Sequence, residues 1–503
     1  MPGVFGLELS SALLLLIVTL CVILLVRSWL EVPQNIPPFP VRPLPIVGHI
    51  PHMVDPRRKL MEWRKTTGDL FSVYFGSTLV VVISSYDLLR ETLVKQGEYF
   101  SHRHVGGILP VLNKPEGIVG SSGEVWKEHR TLTLNLLRSF GMGKLEMAEN
   151  IIEEVSAYLS EISKVSGEPL DPKDLTSRSV SNVICRFLIG KRFEYDDPAY
   201  ARLLEIYETF VDLAKSSGLL HWFPNLKYLP GDLFFHKKLI NNFAEFTEFS
   251  GKRIQDVINK ENQDCKEENF IASYLKEMKK RETTGKLTHL SKDNLIFSMS
   301  DLLTAGTDTT TTTLLWFYLY MVHYPNVQDK IYEEIERETG GSRLPCVADK
   351  AKMNFLHATI LEVLRISSIV PLSLLHRVSK ECTVRGYTIP KDTMIIPHLD
   401  AVHFDEQIWG DPRTFRPERF LNDKGEVVQP EQLVAFSLGR RICIGEALAR
   451  MELFLFIAMT CQRFKIVPVR PDQLPPLTDT MGLTYPPTAF QVKFEERCSS
   501  ASE

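Results

Sequence analysis

The stretch "FSLGRRICIGEALARMELFLF" (residues 436–456) places a single cysteine, Cys443, just after two arginines and directly before a strongly helical run. A thiolate becomes a nucleophile or a metal ligand when cationic neighbours or a helix N-terminus lower its pKa. Both conditions are predicted here, because Arg440 and Arg441 precede Cys443 and the helix begins after it. The flanking glycines allow a tight turn and the close approach of a flat partner.

Three interpretations of Cys443 are compatible with this stretch alone. A catalytic nucleophile needs a partner base placed by the fold, and the sequence has no local signature of a cysteine protease. An axial thiolate ligand of haem iron needs only the loop and the helix dipole. An inert core cysteine needs neither of them. The choice between these interpretations depends on the rest of the chain.

The composition argues against several classes of protein. Of the 503 residues, 44% are hydrophobic and 24% charged, which is typical of a globular protein. Lys plus Arg number 58 against 62 for Asp plus Glu, and this balance gives no support to a nucleic-acid partner. The eight cysteines form no CxxC pair, so zinc and thioredoxin-like sites are not favoured. A reducing cytosolic setting fits such scattered cysteines better than a disulfide framework.

The N-terminus contains an apolar segment, "LSSALLLLIVTLCVILLV", which runs from Leu9 to Val26 without a charge. As a helix these positions would extend about 27 Å, close to the thickness of a bilayer core. Basic residues follow the segment, so the positive-inside rule places the rest of the chain in the cytosol. The sequence predicts an uncleaved membrane anchor over residues 1–30, and a buried core helix is the alternative.

Residues 31–50 are rich in proline and predict a semi-rigid linker, followed by one large catalytic domain over residues 51–503. The fold class expected for that domain is mainly α with small β-sheets. Two β-rich runs split by "GST" predict a hairpin within residues 69–85, and short strands are expected at "CTVRGYTIP" and near "AFQVKFEE". Ser121 and Glu124 are spaced as a helix capping box.

The longest helical pattern runs from Lys292 to about His323 and is closed by Pro325. Its middle, "AGTDTTTTT" (305–313), is unusual for a helix, because glycine and threonine are poor helix formers. Threonine hydroxyls can also bond back to backbone carbonyls. With the acid Asp308 in the same turn, this stretch indicates a functional groove.

Several motifs taken together resemble the cytochrome P450 superfamily over nearly the whole chain, in the right order. They are "EVLR" (362–365), "PERF" (417–420), "AGTDTT" (305–310), "WKEHR" (126–130), and a cysteine motif F-x-x-G-x-R-x-C-x-G made of Phe436, Gly439, Arg441, Cys443 and Gly445. The anchor and the proline segment are similar to those of the microsomal branch with families two, one and seventeen. One departure is Phe39 in "PPFP", where the family commonly has glycine.

The resemblance implies the cytochrome P450 fold and haem b (iron protoporphyrin IX) as the cofactor, with Cys443 as the axial ligand of the iron. It also implies three sets of site residues. Those that hold or face the haem are Arg103, Trp126, Arg130, Ala305, His376, Phe436, Arg441 and Gly445. Asp308 and Thr309 correspond to the acid–alcohol pair that relays protons through water. Glu362, Arg365 and Arg419 correspond to an ion triad that stabilises the core behind the cysteine loop.

The activity that the resemblance implies is an NADPH-dependent monooxygenase that hydroxylates or epoxidises a lipophilic substrate. Steroids, fatty acids, terpenoids and xenobiotics all remain open as the substrate. The expected partners are NADPH-cytochrome P450 reductase, with cytochrome b5 as an additional candidate, and membrane lipid. Lys127, Arg138, Arg440 and Arg450 are candidates for a basic docking patch. The expected location is the endoplasmic reticulum membrane, single-pass, with the catalytic domain on the cytosolic face.

Two other functions compete with the monooxygenase. One is a thiolate-haem isomerase or dehydratase that acts on peroxides and needs neither O2 nor a reductase. The other is a non-catalytic haem carrier, sensor or membrane adaptor. The intact Asp308–Thr309 pair argues against both, because neither function requires a proton relay.

Overall fold

The computed structural model describes residues 12–23, 33–103, 117–141, 145–261, 269–341 and 343–497. The chain divides into two compact units, one formed by Met1–His104 with Leu372–Ala401, and the other by Val105–Pro371 with Val402–Glu503. Among the described residues, no helix combines the length and the apolar character needed to cross a bilayer. Residues 12–23 are helical (α1) and exposed, and the predicted anchor extends beyond them on both sides.

The first unit is built on a sheet with strand order β1-β2-β7-β4-β3. These strands are Leu70–Phe75 (β1), Thr78–Ile83 (β2), His102–Arg103 (β3), His376–Arg377 (β4) and Met394–Pro397 (β7). The predicted hairpin is confirmed, because β1 and β2 pair antiparallel with Phe75 opposite Thr78. Both strands read as apolar runs because most of their residues are buried. Strand β7 joins β2 in parallel, which places a distant part of the chain beside the hairpin.

The remaining elements of the first unit are short. They are the helices Pro56–Thr67 (α2) and Tyr86–Leu89 (α3), a π-helical turn Arg90–Lys95, the 3₁₀ turn Ile50–His52, and the strands Cys382–Val384 (β5) and Tyr387–Ile389 (β6). Strands β5 and β6 confirm the short strands expected at "CTVRGYTIP", and they pair antiparallel.

Backbone carbonyls of the proline-rich segment accept hydrogen bonds from other parts of the first unit. The carbonyl of Pro38 accepts from the Ser72 amide at 2.9 Å, and that of Asn35 accepts from the Thr388 amide at 2.8 Å. Phe39 stacks on His49 and Tyr74, with ring centroids 5.8 and 5.6 Å away. The aromatic residue at the position of the family's glycine therefore fills a stack between rings.

The second unit contains the larger hydrophobic core and is mostly helical. Its helices are Gly123–Ser139 (α4), Leu145–Ser163 (α5), Lys173–Ile189 (α6), Pro198–Ser216 (α7), Gly218–Trp222 (α8), His236–Glu261 (α9), Phe270–Thr283 (α10), Lys292–His323 (α11), Pro325–Thr339 (α12), Asn354–Ser367 (α13), Glu406–Trp409 (α15) and Glu446–Arg463 (α16). The short helix Leu399–His403 (α14) spans the boundary between the units. The 3₁₀ turns of the second unit are Pro224–Tyr228, Pro230–Asp232, Val347–Ala351, Pro417–Phe420 and Gly439–Arg441. Strands Phe464–Pro468 (β8) and Val492–Glu496 (β9) pair antiparallel.

Helix α11 has the predicted bounds and runs without interruption through its threonine-rich middle. Ser291 caps it, since its hydroxyl accepts from the Asn294 amide at 3.0 Å, and Pro325 follows its end. Gly306 lets helix α6 approach closely, because a Cβ at this position would lie 2.6 Å from Ile184 Cδ1. The helix therefore passes through the core with both a tight contact and several buried hydroxyls.

The predicted capping box at Ser121 and Glu124 is wrong. Helix α4 begins at Gly123 with Ser122 as its N-cap residue, and no side chain caps it. The hydroxyl of Ser121 instead bonds to the carbonyl of Gly117, four residues earlier. The short polar side chain stabilises the loop before the helix, which is the competing use of serine near helix ends.

Candidate functional site

The cysteine loop is closed by its own backbone. The Cys443 amide donates to the carbonyl of Phe436 at 3.0 Å, and Ser437 and Gly439 adopt left-handed conformations with φ of 64° and 74°. The 3₁₀ turn Gly439–Arg441 lies inside this loop, and α16 begins at Glu446. The loop therefore places Cys443 three residues before a helix N-terminus, as the sequence predicts.

Cys443 differs from the core cysteines of the second unit. Cys185 and Cys461 are fully buried, and burial raises the pKa of each thiol to about 12. The side chain of Cys443 is exposed, although enough protein surrounds the sulfur that desolvation raises its pKa as well. The exposure of the side chain and the desolvation of the sulfur are both explained if the sulfur borders a space accessible to solvent but enclosed by protein. An inert core cysteine would not have this accessibility, so that interpretation is disfavoured.

The electrostatic surroundings of the thiol differ from those expected. Burial is the largest influence on the pKa of Cys443 and raises it, whereas the backbone amides of Gly445 and Glu446 and the charge of Arg130 lower it. Arg441, which was predicted to act on the thiol, instead donates to the carbonyls of Ile118 and Ser121 at 3.3 and 2.6 Å. A cation that lowers the pKa of Cys443 therefore comes from helix α4, because folding brings that helix to the loop.

Trp126, Arg130 and Arg441 are brought together beside the cysteine loop. The Arg441 guanidinium carbon lies 4.0 Å from the centre of the Trp126 ring, and that of Arg130 lies 5.8 Å from it. Arg130 Nη2 also donates to the carbonyl of Ile442 at 2.6 Å. Trp126 thus makes cation–π contacts with both arginines beside the cysteine loop.

The indole of Trp126 provides a test of whether these residues fit a haem. Trp126 is buried, and its Nε1–H has no hydrogen-bond partner among the described residues. A buried indole N–H usually finds an acceptor. A haem propionate would supply one, next to the two arginines that favour a carboxylate. The donor set in this part of the chain therefore fits the cofactor.

Arg103 and His376 lie in the first unit, where they face each other as partners in the β3–β4 pair. Arg103 Nη1 donates to the carbonyls of Leu374 and Leu375 at 2.7 and 2.9 Å. The His376 ring bonds to the carbonyl of Phe100 through Nδ1 at 2.6 Å. These two predicted haem-binding residues are therefore close to one another, and each is oriented by backbone carbonyls.

The predicted acid–alcohol pair lies in the middle of helix α11. Thr309 Oγ1 donates to the carbonyl of Ala305 at 2.8 Å, which is the back-bonding expected of threonine in a helix. Ala305 is exposed although the helix crosses the core, so it borders an open space. Burial raises the pKa of the half-buried Asp308, while hydrogen bonds from Thr484 and Tyr207 lower it.

Glu362, Arg365 and Arg419 form one network in the second unit. Arg365 is fully buried and binds both Glu362 oxygens, at 2.8 and 2.9 Å. Arg419 Nε reaches Glu362 Oε1 at 3.1 Å. The remaining donors of both arginines are bonded to backbone carbonyls, those of His403 and Pro412 for Arg365 and of Trp409, Asp411 and Thr414 for Arg419.

Two acids on helices α16 and α11, Glu452 and Asp301, were not selected from the sequence. Glu452 on α16 accepts from Thr310 at 3.0 Å, and burial raises the pKa of Glu452 to about 8. Asp301 on α11 accepts from the amides of Ile118 and Val119 at 2.7 and 2.8 Å, and burial raises the pKa of Asp301 to about 6. The available signal was an isolated acid within an apolar run, "RMELFLF" for the first and "FSMSDLL" for the second.

The family resemblance also implies substrate contacts at residues 106–119, 205–235, 370–375 and about 481–483, together with Phe297 and Ala305. Of these, residues 106–116 lie outside the described residues. In the remainder, Met481 and Leu483 are exposed, and Phe297 packs on Phe243 with ring centroids 4.9 Å apart.

Comparison with known proteins gives a consistent result over the chain. The family model of cytochrome P450 matches residues 37–494. Cytochrome P450 2U1 of Bos taurus is 36% identical over 530 residues, covering 99% of this chain and 96% of that protein. Cytochrome P450 2J2 of Homo sapiens is 37% identical, covering 92% of this chain and 91% of that protein. Cytochrome P450 2B4 of Oryctolagus cuniculus is 35% identical, covering 97% and 100%.

The expectation drawn from the motifs is thereby confirmed at the level of family, activity and cofactor. Redox chemistry of this kind needs an electron-supplying partner, since side chains alone do not provide it. The chain belongs to the cytochrome P450 family, and it is a haem b-dependent monooxygenase that acts on a lipophilic substrate.

Proposed function

We propose that Cys443 is the thiolate ligand of the haem and that Trp126, Arg130 and Arg441 bind its propionates. The observation that carries this proposal is the accessible sulfur of Cys443 beside the unpartnered indole N–H of Trp126. The cation–π contacts with Trp126 hold the two arginines beside the cysteine loop. Arg103 and His376 are proposed as further propionate donors, and Ala305, Phe436 and Gly445 as residues that face the ring.

When bound, haem supplies the activation of O2 by single electrons, for which the side chains have no equivalent. The role of the protein is then to position the groups that move protons. We assign this role to Asp308 and Thr309, an acid and a hydroxyl that are adjacent on α11. Burial raises the pKa of Asp308 above its ordinary value, and a higher proton affinity is the direction that general acid catalysis requires. The hydroxyl of Thr309 would pass the proton on through water.

The proposed electron donor is NADPH-cytochrome P450 reductase, with cytochrome b5 as an additional partner. Arg138 and Arg440 are exposed and form the free part of the predicted basic patch. Lys127 and Arg450 are already paired with Glu124 and Glu446, at 2.6 and 2.9 Å, and contribute less. Surface charges of this kind mainly increase the rate of association. Substitution of Arg138 and Arg440 should therefore reduce that rate most at low salt.

We further propose that residues 1–30 anchor the protein in the endoplasmic reticulum membrane with a single pass. Residues 31–50 would link this anchor to the catalytic domain, residues 51–503, on the cytosolic face. The support is the uncharged run from Leu9 to Val26 and the basic residues that follow it. A lipophilic steroid, fatty acid, terpenoid or xenobiotic would then reach the enzyme from the membrane, where such substrates concentrate.

The absorption spectrum of the reduced, carbon monoxide-bound protein tests the ligand assignment. The wild-type protein should show a strongly red-shifted Soret band, and Cys443→Ser should lose it because an alcohol is a poor substitute for a thiolate. Cys382→Ser, on strand β5, is the matched control and should keep the band. A well-folded wild-type protein without this band, or a Cys443→Ser variant that retains it, would overturn the proposal.

A further inference from the structure

One face of helix α11 is bonded to two consecutive residues from the C-terminal part of the chain. Asp308, Thr312 and Trp316 are spaced four residues apart and therefore lie above one another on the helix. Thr484 Oγ1 lies 2.6 Å from Asp308 Oδ2 and 3.0 Å from Thr312 Oγ1. Trp316 Nε1 donates to the carbonyl of Tyr485 at 2.9 Å. Thr484 thus lies between two side chains of the same helix face.

The direction of these hydrogen bonds follows from the number of protons. A threonine hydroxyl has one proton, and the ionised Asp308 carboxylate can only accept. Thr484 therefore donates to Asp308, and Thr312 donates to Thr484. The other Asp308 oxygen, Oδ1, accepts from the Tyr207 hydroxyl at 3.5 Å, which is a long and weak bond. The side chains thus hold the carboxylate by one short and one long contact, and the backbone of Thr484 also hydrogen-bonds to it.

We propose that Thr484 is a positioning residue for Asp308. The hydroxyl of Thr484 orients the Asp308 carboxylate and stabilises its ionised form. Tyr207 supports the same carboxylate from helix α7 through its weaker contact. This inference rests on the proton-relay role assigned to Asp308 above. Thr484 would act on catalysis only through Asp308, and Thr312 would act only by fixing the hydroxyl of Thr484.

Docking of the 484–485 segment does not by itself explain a threonine at this position. The segment is already attached by the bond from Trp316 to Tyr485 and by the Tyr485 amide, which donates to the carbonyl of Ile369 at 2.9 Å. Thr484 is 3% exposed, and valine has nearly the same shape. A hydroxyl buried there is costly unless it is bonded. The bond to Asp308 is therefore the feature that distinguishes threonine from valine.

The surroundings of Asp308 indicate the direction of the effect. Burial raises the pKa of Asp308, and the hydrogen bonds from Thr484 and Tyr207, together with the positive charge of Lys173, lower it. A hydrogen bond donated to a carboxylate favours the charged form. Removing the Thr484 hydroxyl should therefore raise the pKa of Asp308 further and leave its carboxyl with fewer constraints on orientation.

The experiment compares Thr484→Val with Thr484→Ser in the full-length, haem-loaded protein. Infrared difference spectroscopy gives the pKa of the Asp308 carboxyl, and the band is assigned by its loss in Asp308→Asn. We expect a higher pKa in Thr484→Val, a value close to wild type in Thr484→Ser, and a smaller rise in Tyr207→Phe. Thr484→Ala carries the same test if the valine variant yields no haem-loaded protein.

The second measurement is the ratio of hydrogen peroxide released to NADPH oxidised, with reductase present and no substrate added. We expect this ratio to rise about twofold to threefold in Thr484→Val, because a misplaced acid delivers protons less effectively. Thr484→Ser should restore it. If the carboxyl pKa is unshifted in Thr484→Val while the ratio of peroxide to NADPH changes in Asp308→Asn, the role of Thr484 is overturned and the relay role of Asp308 is not. An unaltered ratio in Asp308→Asn would overturn the relay itself.

Discussion

The second unit contains two groups of enclosed charges that are partnered very differently. Around Arg365, the acid and both arginines are bonded on nearly every side, and both Arg365 and Glu362 have no exposed side-chain surface. Along α11 and α16, Asp308, Asp301 and Glu452 have few partners, and Glu452 Oε1 has none among the described residues.

This difference in partners determines what each group of acids can do. Around Arg365, the ion pairs and hydrogen bonds form a network that fixes structure. Asp308, Asp301 and Glu452 make no ion pair with an arginine among the described residues, and burial raises the pKa of each. The same residue type is therefore structural in one place and suited to proton transfer in the other, according to its partners.

The largest expected effect comes from breaking the fully partnered network. Arg365→Ala would leave Glu362 as a buried charge with one arginine, and such changes cost about 3–5 kcal/mol. We expect low soluble yield and loss of haem, measured as haem per polypeptide. Arg416→Ala is the matched control, because its side chain pairs with Asp411 at an exposed position. A soluble Arg365→Ala protein with full haem content would contradict this role.

The partly partnered group should show its high proton affinity as a pH dependence of stability. The folded protein keeps the Glu452 proton up to a pH of about 8, whereas the unfolded chain loses it near the ordinary pKa of 4.5. Since the folded state binds more protons between these values, the free energy of unfolding falls as pH rises, by up to about 1.4 kcal/mol per pH unit. Above pH 8 the contribution is constant.

Glu452→Gln should remove this slope and stabilise the protein at neutral pH, as measured by thermal unfolding at a series of pH values. The exposed Glu495→Gln serves as the control and should leave the profile unchanged. An identical pH profile in wild type and Glu452→Gln would show that this carboxyl does not titrate in the window.

Asp301 tests an acid whose partners are amides instead of arginines. Asp301→Ala would leave the Ile118 and Val119 amides without their acceptor, which costs about 1–3 kcal/mol for a buried group. Asp301→Asn retains an acceptor oxygen and should lose less. Urea unfolding midpoints give the comparison, and equal losses in both variants would show that the amide bonds contribute little.

The smallest effect on stability is expected for Thr309→Ala. Among the described residues, the Thr309 hydroxyl bonds only to the Ala305 carbonyl of its own helix, so its removal should change the free energy of unfolding by less than about 1 kcal/mol. Peroxide release per NADPH should nonetheless rise, because the proposed relay loses its alcohol. Thr313→Ala, with an equivalent bond to the Thr309 carbonyl, is the matched control. Unchanged coupling would remove Thr309 from the relay.

Local patterns were sufficient for the elements that depend on near neighbours in sequence. The bounds of α11, the β1–β2 hairpin and the helix after Cys443 all follow from hydrophobic periodicity, turn residues and capping. The capping box at Ser121 failed because a serine near a helix end can bond either to the helix or to the preceding loop. Sequence spacing does not distinguish these two uses.

The contacts that define the candidate site join residues that are far apart in the chain. Thr484 and Asp308 are 176 residues apart in the chain, and Arg130 is 312 residues from the carbonyl that it binds. Nothing in the local sequence indicates such a pairing, so the sequence predicted Arg440 and Arg441 as the cations beside Cys443, whereas the charge that lowers its pKa in the structure is that of Arg130. An isolated acid within an apolar run can be recognised in the sequence, but the residue that it bonds to cannot.

The sequence by itself determined the family, the cofactor, the cysteine loop and the long helix, because each depends on motifs or patterns whose own residues are close together in the chain. Only the tertiary structure decided which acids are neutralised by arginine and which retain a high proton affinity. The physical reason is that a pKa depends on desolvation and on the nearest charges and donors in space. Those neighbours are supplied by packing, and packing joins residues that are hundreds of positions apart.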